Sequence, residues 1–424
     1  LSRGITFNKS KKIEQNLMIE FIDPKKFKNG SPYDNDFLIH NNEILKRQTS
    51  FFITNYQYNF LKKHNPDIYN EIKTLSKHYN IIFLNDIKFY FFDFYKLVFK
   101  AIKLFFFQIF SKNKNVYSKI SNSLVIDYLD FFTLFIKFDF KNLLYHTFPN
   151  GHTEFRLNDA IVTSLCRKFD TKSIGMQTRT IYTSKYEDCF DCFDKYLSWG
   201  KAWNNVSSLK NRFINNVINV GCIYRDGLKI INNQNLVNFR EKLRNERKYI
   251  ISVFDSDISP NSHYTWNYSK EFILNVISLA KEFNHCSFII KPKDNSNTTK
   301  YLKDLDISKR LKETENIMFS KNKRNDYKNI LNVSDIVLAI GFTTPGFEAL
   351  CLGKRVIYFS LLKNAGTALK VLPNLISRDY NELKNLFLKS LTDHKNYSKD
   401  IKLTLNLLDE SSSKSVKNQI LINI

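Results

Sequence analysis

The chain has 424 residues, enough for two or three domains with a large buried core. Its formal net charge is +23, from 64 lysines and arginines against 41 aspartates and glutamates. Zinc-finger spacings, RNP-like aromatic motifs and a concentrated basic arm are missing from the sequence, so we expect no specific nucleic-acid recognition. The charge fits equally well a protein that handles phosphorylated donors or contacts anionic lipid.

Six cysteines are spaced irregularly, and the chain opens without the basic, apolar and small-residue pattern of a signal peptide. These features predict a reducing, cytoplasmic location. Cys189 and Cys192 have C-x-x-C spacing, but zinc would need a second pair of ligands. We therefore expect no metal site.

Residues 81–140 are unusually rich in aromatic residues. Charged residues interrupt this region too often for a membrane-spanning helix. Phe91, Tyr95, Val98 and Ile102 are spaced as on one face of a helix, with lysines elsewhere on the wheel, which predicts an amphipathic helix. Two interpretations stay open: a helix packed into an N-terminal domain, or a helix that docks on an anionic membrane.

After residue 145 the sequence alternates between short apolar runs and polar helical segments, which is typical of a parallel α/β sheet. A polar stretch near residue 230 precedes a second series of this kind. There we predict strands at 249–254, 287–290, 316–319, 336–340 and 356–359, alternating with helices at 269–283, 301–314, 326–332 and 345–352.

The predicted fold class is α/β, with two Rossmann-like domains that face a cleft. We predict an N-terminal domain (1–230) that includes an aromatic-rich helical region (81–140). A C-terminal α/β domain (231–400) and a C-terminal helix or tail (401–424) follow it. In such sheets, ligands lie at the carboxyl ends of the strands.

The segment Gly-Phe-Thr-Thr-Pro-Gly-Phe-Glu, residues 341–348, follows one of these predicted strands. Pro345 suits the first position of a helix, and Thr344 suits its N-cap. Free N–H groups and the hydroxyls of Thr343 and Thr344 would form an anion site, and Gly341 and Gly346 would let a ligand approach the backbone. The alternative is an ordinary capped helix.

Other candidate site residues lie near the predicted cleft. Lys291 and Lys293 end a strand and could neutralise a phosphoryl group, or they are solvated loop lysines. Asp255 also ends a strand and is either a catalytic carboxylate or the cap of the next turn. Glu154 and Glu187 are further acid/base candidates, or else surface carboxylates.

Two sequence segments carry a family resemblance. Pro-Gly-Phe-Glu-Ala-Leu after a Thr-containing turn, followed by Leu-Gly-Lys-Arg-Val-Ile-Tyr, resembles the donor-binding half of GT-B glycosyltransferases acting on bacterial surface polysaccharides. Gly-Met-Gln, followed later by Asp-Lys-Tyr-Leu-Ser-Trp-Gly, resembles an N-terminal-domain segment that often reads Gly-x-Gln-His-Gly. Gln177 is kept, whereas Thr178 and Arg179 replace His-Gly. The two matches span roughly residues 155–360.

The resemblance implies a nucleotide-sugar donor, bound as a substrate, with no other cofactor. Thr343, Thr344 and Gly346 would hold its phosphate. Glu348, placed in the first helical turn, would accept a hydrogen bond from a hydroxyl of the ribose or the sugar, or it would only stabilise the helix N-terminus through its charge. Gln177 and Arg179 would lie on the acceptor side. Similarity to retaining β-Kdo transferases of capsule and lipopolysaccharide synthesis implies CMP-Kdo as donor and Asp255 as nucleophile; UDP- and GDP-hexoses stay open.

The sequence therefore predicts a glycosyltransferase that extends a bacterial surface glycan, namely lipopolysaccharide, O-antigen or capsule, at the cytoplasmic face of the membrane. Two alternatives stay open. One is polyol-phosphate transfer of the teichoic-acid kind. The other is a non-catalytic basic protein that binds nucleic acid or anionic membrane through charge.

Overall fold

In the part of the chain that it describes, the computed structural model contains two large parallel β-sheets and one separate strand pair. It describes residues 5–6, 16–19, 49–53, 62–63, 66–77, 80–83, 89–90, 95, 98–99, 102, 128–129, 131–146, 156–177, 192–204, 213–222, 225, 234–244, 247–258, 264–320, 326–361 and 372–409.

The first sheet is built from residues before 230. The strands of this part are β1 Ile5–Thr6, β2 Asn16–Ile19, β3 Thr49–Ile53, β4 Asn80–Phe83, β5 Phe89–Tyr90, β6 Asn142–His146, β7 Lys172–Met176, β8 Cys192–Ser198 and β9 Phe213–Asn219. The sheet has the order β4-β3-β2-β6-β7-β8-β9, while β1 pairs with β5. Its helices include α1 Pro66–Leu75, α2 Arg156–Lys168 and α3 Lys201–Asn204.

The aromatic-rich region is only partly helical. Residues 80–83 pair with β3 as a parallel strand and 89–90 pair with β1, so the prediction of a helical region from residue 81 is wrong at its start. Residues 131–137 are helical, and the aromatic rings of Phe131 and Phe135 are buried in the core of the first sheet. This part of the region is therefore core packing.

The second sheet is built from residues 249–377. Its elements are α4 Gln234–Arg244, β10 Tyr249–Phe254, α5 Trp266–Glu282, β11 Cys286–Lys291, α6 Asn295–Lys303, α7 Leu305–Lys312, β12 Ile317–Phe319, α8 Asp326–Val333, β13 Ile336–Ile340, α9 Thr344–Cys351, β14 Arg355–Phe359, β15 Ile376–Ser377, α10 Tyr380–Thr392 and α11 His394–Leu408. The predicted alternation is confirmed, and β10 and β13 have the predicted bounds.

The second sheet has the strand order β12-β11-β10-β13-β14-β15, and every neighbouring pair is parallel. From β10 the chain moves outward to β11 and β12, and then returns to place β13 on the other side of β10. This is the doubly wound order, whose direction changes between β10 and β13. A crevice for ligands is expected at the carboxyl ends of these two strands.

The predicted helix 301–314 is wrong, because the chain forms two helices here. Asp304 has extended backbone angles, φ −72° and ψ 121°, and its carboxylate accepts hydrogen bonds from the N–H groups of Asp306 and Ile307. It thereby ends α6 and caps α7. The ammonium group of Lys270 also donates to this carboxylate at 2.8 Å.

The core of the second sheet follows from strands that are buried on both faces. Every residue of β11 and of β13 is buried, as expected for central strands covered by helices. The same core includes Trp199 and Trp203, which come from the first half of the chain. Within the described part of the chain, no helix combines the length and the apolar character that crossing a bilayer requires.

Candidate functional site

The strand register brings several predicted site residues to one edge of the second sheet. Phe254, the last residue of β10, pairs with Lys291 of β11 on one side and with Ala339 of β13 on the other. Asp255 therefore lies between the ends of β11 and β13. Gly341 comes directly after β13, and its N–H donates to the carbonyl of Phe359 at 2.7 Å.

The loop after β13 leads directly into α9. Thr343 has extended angles, φ −88° and ψ 155°, and its carbonyl accepts from the N–H of Phe347 at 3.1 Å. Thr343 is therefore the N-cap, and the prediction of Thr344 as N-cap is wrong by one residue. Pro345 falls on the second helical position, where the missing N–H is equally harmless.

The hydroxyl of Thr343 does not cap the helix. It is buried and has no hydrogen-bond partner among the described residues, although the side chain occupies the N-cap position. The N–H groups of Thr344 and Gly346 belong to the first turn, where an α-helix offers no acceptor. One hydroxyl and two N–H groups thus lie within four consecutive residues at the positive end of the helix dipole, where an anion would be stabilised.

At two positions of this loop, neighbouring aromatic rings leave no room for a side chain larger than that of glycine. Gly341 has φ +53°, and a Cβ atom there would overlap the ring and hydroxyl of Tyr264. A Cβ atom on Gly346 would lie 2.5 Å from the ring of Tyr358 and 3.1 Å from the Cβ of Ala339. Close packing on Tyr264 and Tyr358 thus accounts for both glycines; the closely approaching ligand stays a prediction.

Glu348 is only 2 % exposed and lies on the buried side of α9. It is the fifth residue of the helix, so the prediction that it lies in the first turn is wrong. The helix dipole therefore stabilises its carboxylate less than it would in the first turn, because that effect falls off beyond the first turn.

Asp255 binds the turn between β11 and α6. Its Oδ1 accepts from the backbone N–H of Lys293, and its Oδ2 accepts from Asn297 Nδ2 and Tyr301 Oη, each at 2.9 Å. Burial raises the pKa of Asp255 to about 6, although these hydrogen bonds favour the ionised form. Among the described residues, the donors to this carboxylate lie in the turn after β11 and in α6 and not in its own loop.

The two candidate lysines differ in environment. Lys291 is buried, and its Nζ donates to the carbonyl of Pro292 at 2.8 Å. The side chain of Lys293 is 55 % exposed, with its Nζ 4.0 Å from a carboxylate oxygen of Asp257. Only Lys291 has its charged group held at the strand edge by the fold.

Gln177 lies at the end of β7 and is 1 % exposed. Its Oε1 accepts from the backbone N–H of Trp199 at 2.9 Å and from Ser198 Oγ at 3.3 Å. Its backbone carbonyl accepts from Trp199 Nε1 at 2.8 Å. Three further predicted site residues, Glu154, Arg179 and Glu187, lie outside the described residues.

Sequence reasoning missed the partners that hold the site. Asn297 and Tyr301 are 42 and 46 residues from Asp255 along the chain, and only the sheet register brings them to it. Trp199 and Trp203 pack on the loop and on α9. Their spacing in Trp-Gly-Lys-Ala-Trp was the available signal. In the described ranges, no group of three or more histidines, cysteines, aspartates and glutamates could hold a metal ion.

Two doubly wound domains in tandem define the GT-B architecture, and known structures share it. A glycosyltransferase from Rickettsia africae ESF-5 has a TM-score of 0.51 and 13 % identity, with 98 % of each chain covered. An α,α-trehalose 6-phosphate synthase from Burkholderia multivorans has a TM-score of 0.56 and 9 % identity, covering 97 % of this chain and 98 % of that one.

The S. aureus protein MnaA, in a complex with UDP, has a TM-score of 0.53 and 10 % identity, covering 97 % of this chain and 95 % of that one. Identities this low show the fold alone. The predicted fold class, two Rossmann-like domains of the GT-B type, is confirmed.

One family model matches the sequence. It is described as "Polysaccharide biosynthesis PFTS motif protein" and covers residues 180–387, slightly under half of the chain. A search of curated proteins finds no match. If the letters PFTS stand for Pro-Phe-Thr-Ser, the segment Gly341-Phe342-Thr343-Thr344 matches the motif at its second and third positions. This is the one place within the matched range where Phe precedes Thr.

Proposed function

We propose that this protein is a nucleotide-sugar-dependent glycosyltransferase of bacterial surface-polysaccharide assembly. The observation that carries the proposal is the buried hydroxyl of Thr343 at the start of α9, which has no partner among the described residues. It lies beside the strand ends where doubly wound sheets bind ligands. The GT-B fold and the polysaccharide-biosynthesis family match support the same reading.

In this proposal the C-terminal domain holds the donor phosphates. Thr343 Oγ1 and the N–H groups of Thr344 and Gly346 donate to phosphate oxygens, and the ammonium of Lys291 supplies charge from the neighbouring strand end. Glu348 accepts from a hydroxyl of the donor. The N-terminal domain holds the acceptor glycan on the Gln177 side, and catalysis consists mainly of positioning the two substrates.

For Asp255 we propose a structural role and not a catalytic one. Three hydrogen bonds and 5 % exposure favour a role in fixing the end of β11 over a direct attack on the sugar. Residues 341–346, which we call the donor loop, follow β13 on the other side of β10. Its role as nucleophile stays a prediction, as do the acid/base roles of Glu154 and Glu187. The anomeric configuration of the product, compared with that of the donor, distinguishes retention from inversion.

For the donor base we propose uridine first, because similar folds bind UDP, as in the MnaA complex. CMP-Kdo, the donor that the sequence resemblance implies, is the competing candidate. Lipopolysaccharide, O-antigen and capsule are the corresponding acceptor classes.

A thermal-shift screen against UDP, CMP, GDP and CDP tests the proposal. A nucleotide that binds only the folded state at about 100 times its Kd stabilises it by about 2.7 kcal/mol. Stabilisation by UDP or CMP is the expected result and selects between the two donors. CDP as the best ligand would favour polyol-phosphate transfer. No response to any nucleotide, with salt-sensitive binding to polyanions instead, would favour the non-catalytic alternative.

We also propose peripheral contact with an anionic membrane surface. Tyr95, Phe99 and Ile102 are helical residues at i, i+4 and i+7, and their exposed fractions are 64, 63 and 46 %. Lysines at 96, 100 and 103 alternate with them in the sequence and complement anionic headgroups. Tyr95→Ser with Phe99→Ser should abolish sedimentation with phosphatidylserine-containing vesicles; unchanged sedimentation would contradict the contact.

A further inference from the structure

Aromatic stacking joins the predicted acceptor side to the donor loop. Trp199 follows β8 and donates two hydrogen bonds to Gln177, one from its backbone N–H to Oε1 and one from its indole N–H to the backbone carbonyl. The indole ring stacks on Phe347 of α9, with ring centroids 5.0 Å apart and an interplanar angle of 5°. Thus one fully buried tryptophan contacts both Gln177 and Phe347 of α9.

Trp203 makes a second link. Its ring stacks on Phe342 at 5.4 Å and 20°, and it meets Phe347 edge-on at 5.7 Å and 88°. The indole N–H donates to the carbonyl of Leu408 at 2.8 Å, which fixes the ring against the end of α11. Gly200 allows this approach, because a Cβ atom there would lie 2.5 Å from the Leu408 backbone.

The two contacted phenylalanines flank the proposed phosphate ligands. Phe342 immediately precedes Thr343, and the N–H of Phe347 donates to the Thr343 carbonyl. All four rings are at most 1 % exposed, so they are closely packed and cannot shift independently. A displacement of Trp199 or Trp203 therefore moves the loop that carries the Thr343 hydroxyl.

We propose, on the basis of the function above, that Trp199 and Trp203 are positioning residues of the donor site that couple it to the acceptor side at Gln177. Donor nucleotide binding changes the packing of both indoles. Acceptor glycan bound at the end of β7 changes nucleotide affinity through the same rings, and linkage makes the effect reciprocal.

The tryptophans themselves provide the first test. The chain has three, and the third, Trp266, lies at the start of α5 and stacks on Tyr301. In a Trp266→Phe variant, the tryptophan emission comes from Trp199 and Trp203 alone. We expect UDP to change their emission along a curve whose Kd equals that from calorimetry. Calorimetric UDP binding without any change in emission would overturn the coupling and leave the proposed function standing.

The second test weakens the link. Trp199→Phe keeps a ring for Phe347 but removes the indole hydrogen bond to Gln177, and Trp203→Phe likewise removes the bond to Leu408. We expect each variant to weaken UDP binding about five-fold or more, as is typical of coupled sites. The matched control is Phe387→Leu, which shortens a core ring packed on Phe283 in the same hydrophobic core. It should lower stability yet keep the UDP Kd.

The possible results separate the two proposals. Wild-type UDP affinity in both folded tryptophan variants would overturn the positioning role alone. Failure of the wild-type protein to bind any of the four nucleotides would overturn the proposed function and the coupling with it. If both variants fail to fold, the emission of Trp266→Phe at saturating UDP decides the question.

Discussion

Tyr301 donates a hydrogen bond from its hydroxyl to Asp255, with 2.9 Å between Oη and Oδ2, across 46 residues of sequence. The pair joins α6 to the carboxyl end of β10. Because the carboxylate is 5 % exposed, its charge is costly even with three hydrogen bonds. The stability of the fold should therefore depend on pH through the titration of Asp255.

We expect Asp255 to make the fold less stable as pH rises from 4 to 7. Its pKa is about 6 in the folded protein against 3.8 for an unperturbed aspartate, so the folded state binds more protons between these values. The unfolding free energy should fall by up to about 3 kcal/mol through this window because of Asp255.

Urea unfolding of the wild type and of Asp255→Asn at pH 4 and pH 7 measures the effect. Other carboxylates titrate alike in both proteins, so the informative quantity is the difference in unfolding free energy between them. The wild-type advantage should shrink as pH rises. An advantage that is constant or grows with pH would contradict the raised pKa.

Thr343→Val should impair nucleotide binding without impairing the fold. The hydroxyl has no partner among the described residues, so replacing it with a methyl group costs little stability or adds some. A lost hydrogen bond to a charged phosphate should weaken UDP or CMP binding about ten-fold or more. Calorimetry and chemical denaturation measure the two quantities.

Thr171→Val is the matched control for Thr343→Val. Thr171 is also buried, but its hydroxyl donates to the carbonyl of Phe140 at 2.9 Å in the core of the first sheet. Its loss should lower stability by about 1 to 3 kcal/mol and leave nucleotide affinity unchanged. If the two variants behaved alike, Thr343 would have no role in binding.

Alanine substitutions at Gly341 and Gly353 should differ in severity. Both glycines have positive φ, +53° and +69°, but only Gly341 faces the ring of Tyr264, whereas Gly353 has open space around the Cβ position. Gly353→Ala should cost about 1 kcal/mol from backbone strain. Gly341→Ala should cost about 2 to 4 kcal/mol, because strain and overpacking add.

Melting curves of these two variants, together with their UDP titrations, check this prediction. Gly341→Ala should also weaken nucleotide binding, since Thr343 follows within two residues. Equal stability losses would mean that Tyr264 does not pack on the loop.

Asp409→Asn should destabilise the junction between the two halves strongly. Its carboxylate is completely buried, accepts from Arg225 Nη1 at 2.9 Å and also accepts from the N–H of Cys222 at 3.0 Å. Removing the negative charge beside the buried Arg225 guanidinium should cost about 3 to 5 kcal/mol. Asp306→Asn breaks an exposed pair with Arg310 and should cost only about 0.5 kcal/mol. Denaturant midpoints that shift equally in both variants would contradict the prediction.

Much of the second sheet was predictable from sequence because its strands are buried on both faces. Continuous apolar runs such as 249–254 and 336–340 are typical of a parallel strand covered on both faces, and both strands have the predicted bounds. The helix at 301–314 was mispredicted because Asp304 ends one helix and caps the next, and apolar spacing does not reveal such a break. The N-cap was misplaced by one residue because Thr343 and Thr344 are equally good caps.

The sequence by itself determined the doubly wound fold class, the strand ends that carry Asp255, Lys291 and Gly341, and the loop that leads into α9. Only the tertiary structure decided which partners these residues have. Asn297 and Tyr301 reach Asp255, and Trp199 and Trp203 reach α9, through register and packing over dozens of residues. Local patterns record propensity and burial along the chain; pairings between distant segments depend on where the sheet places each strand end.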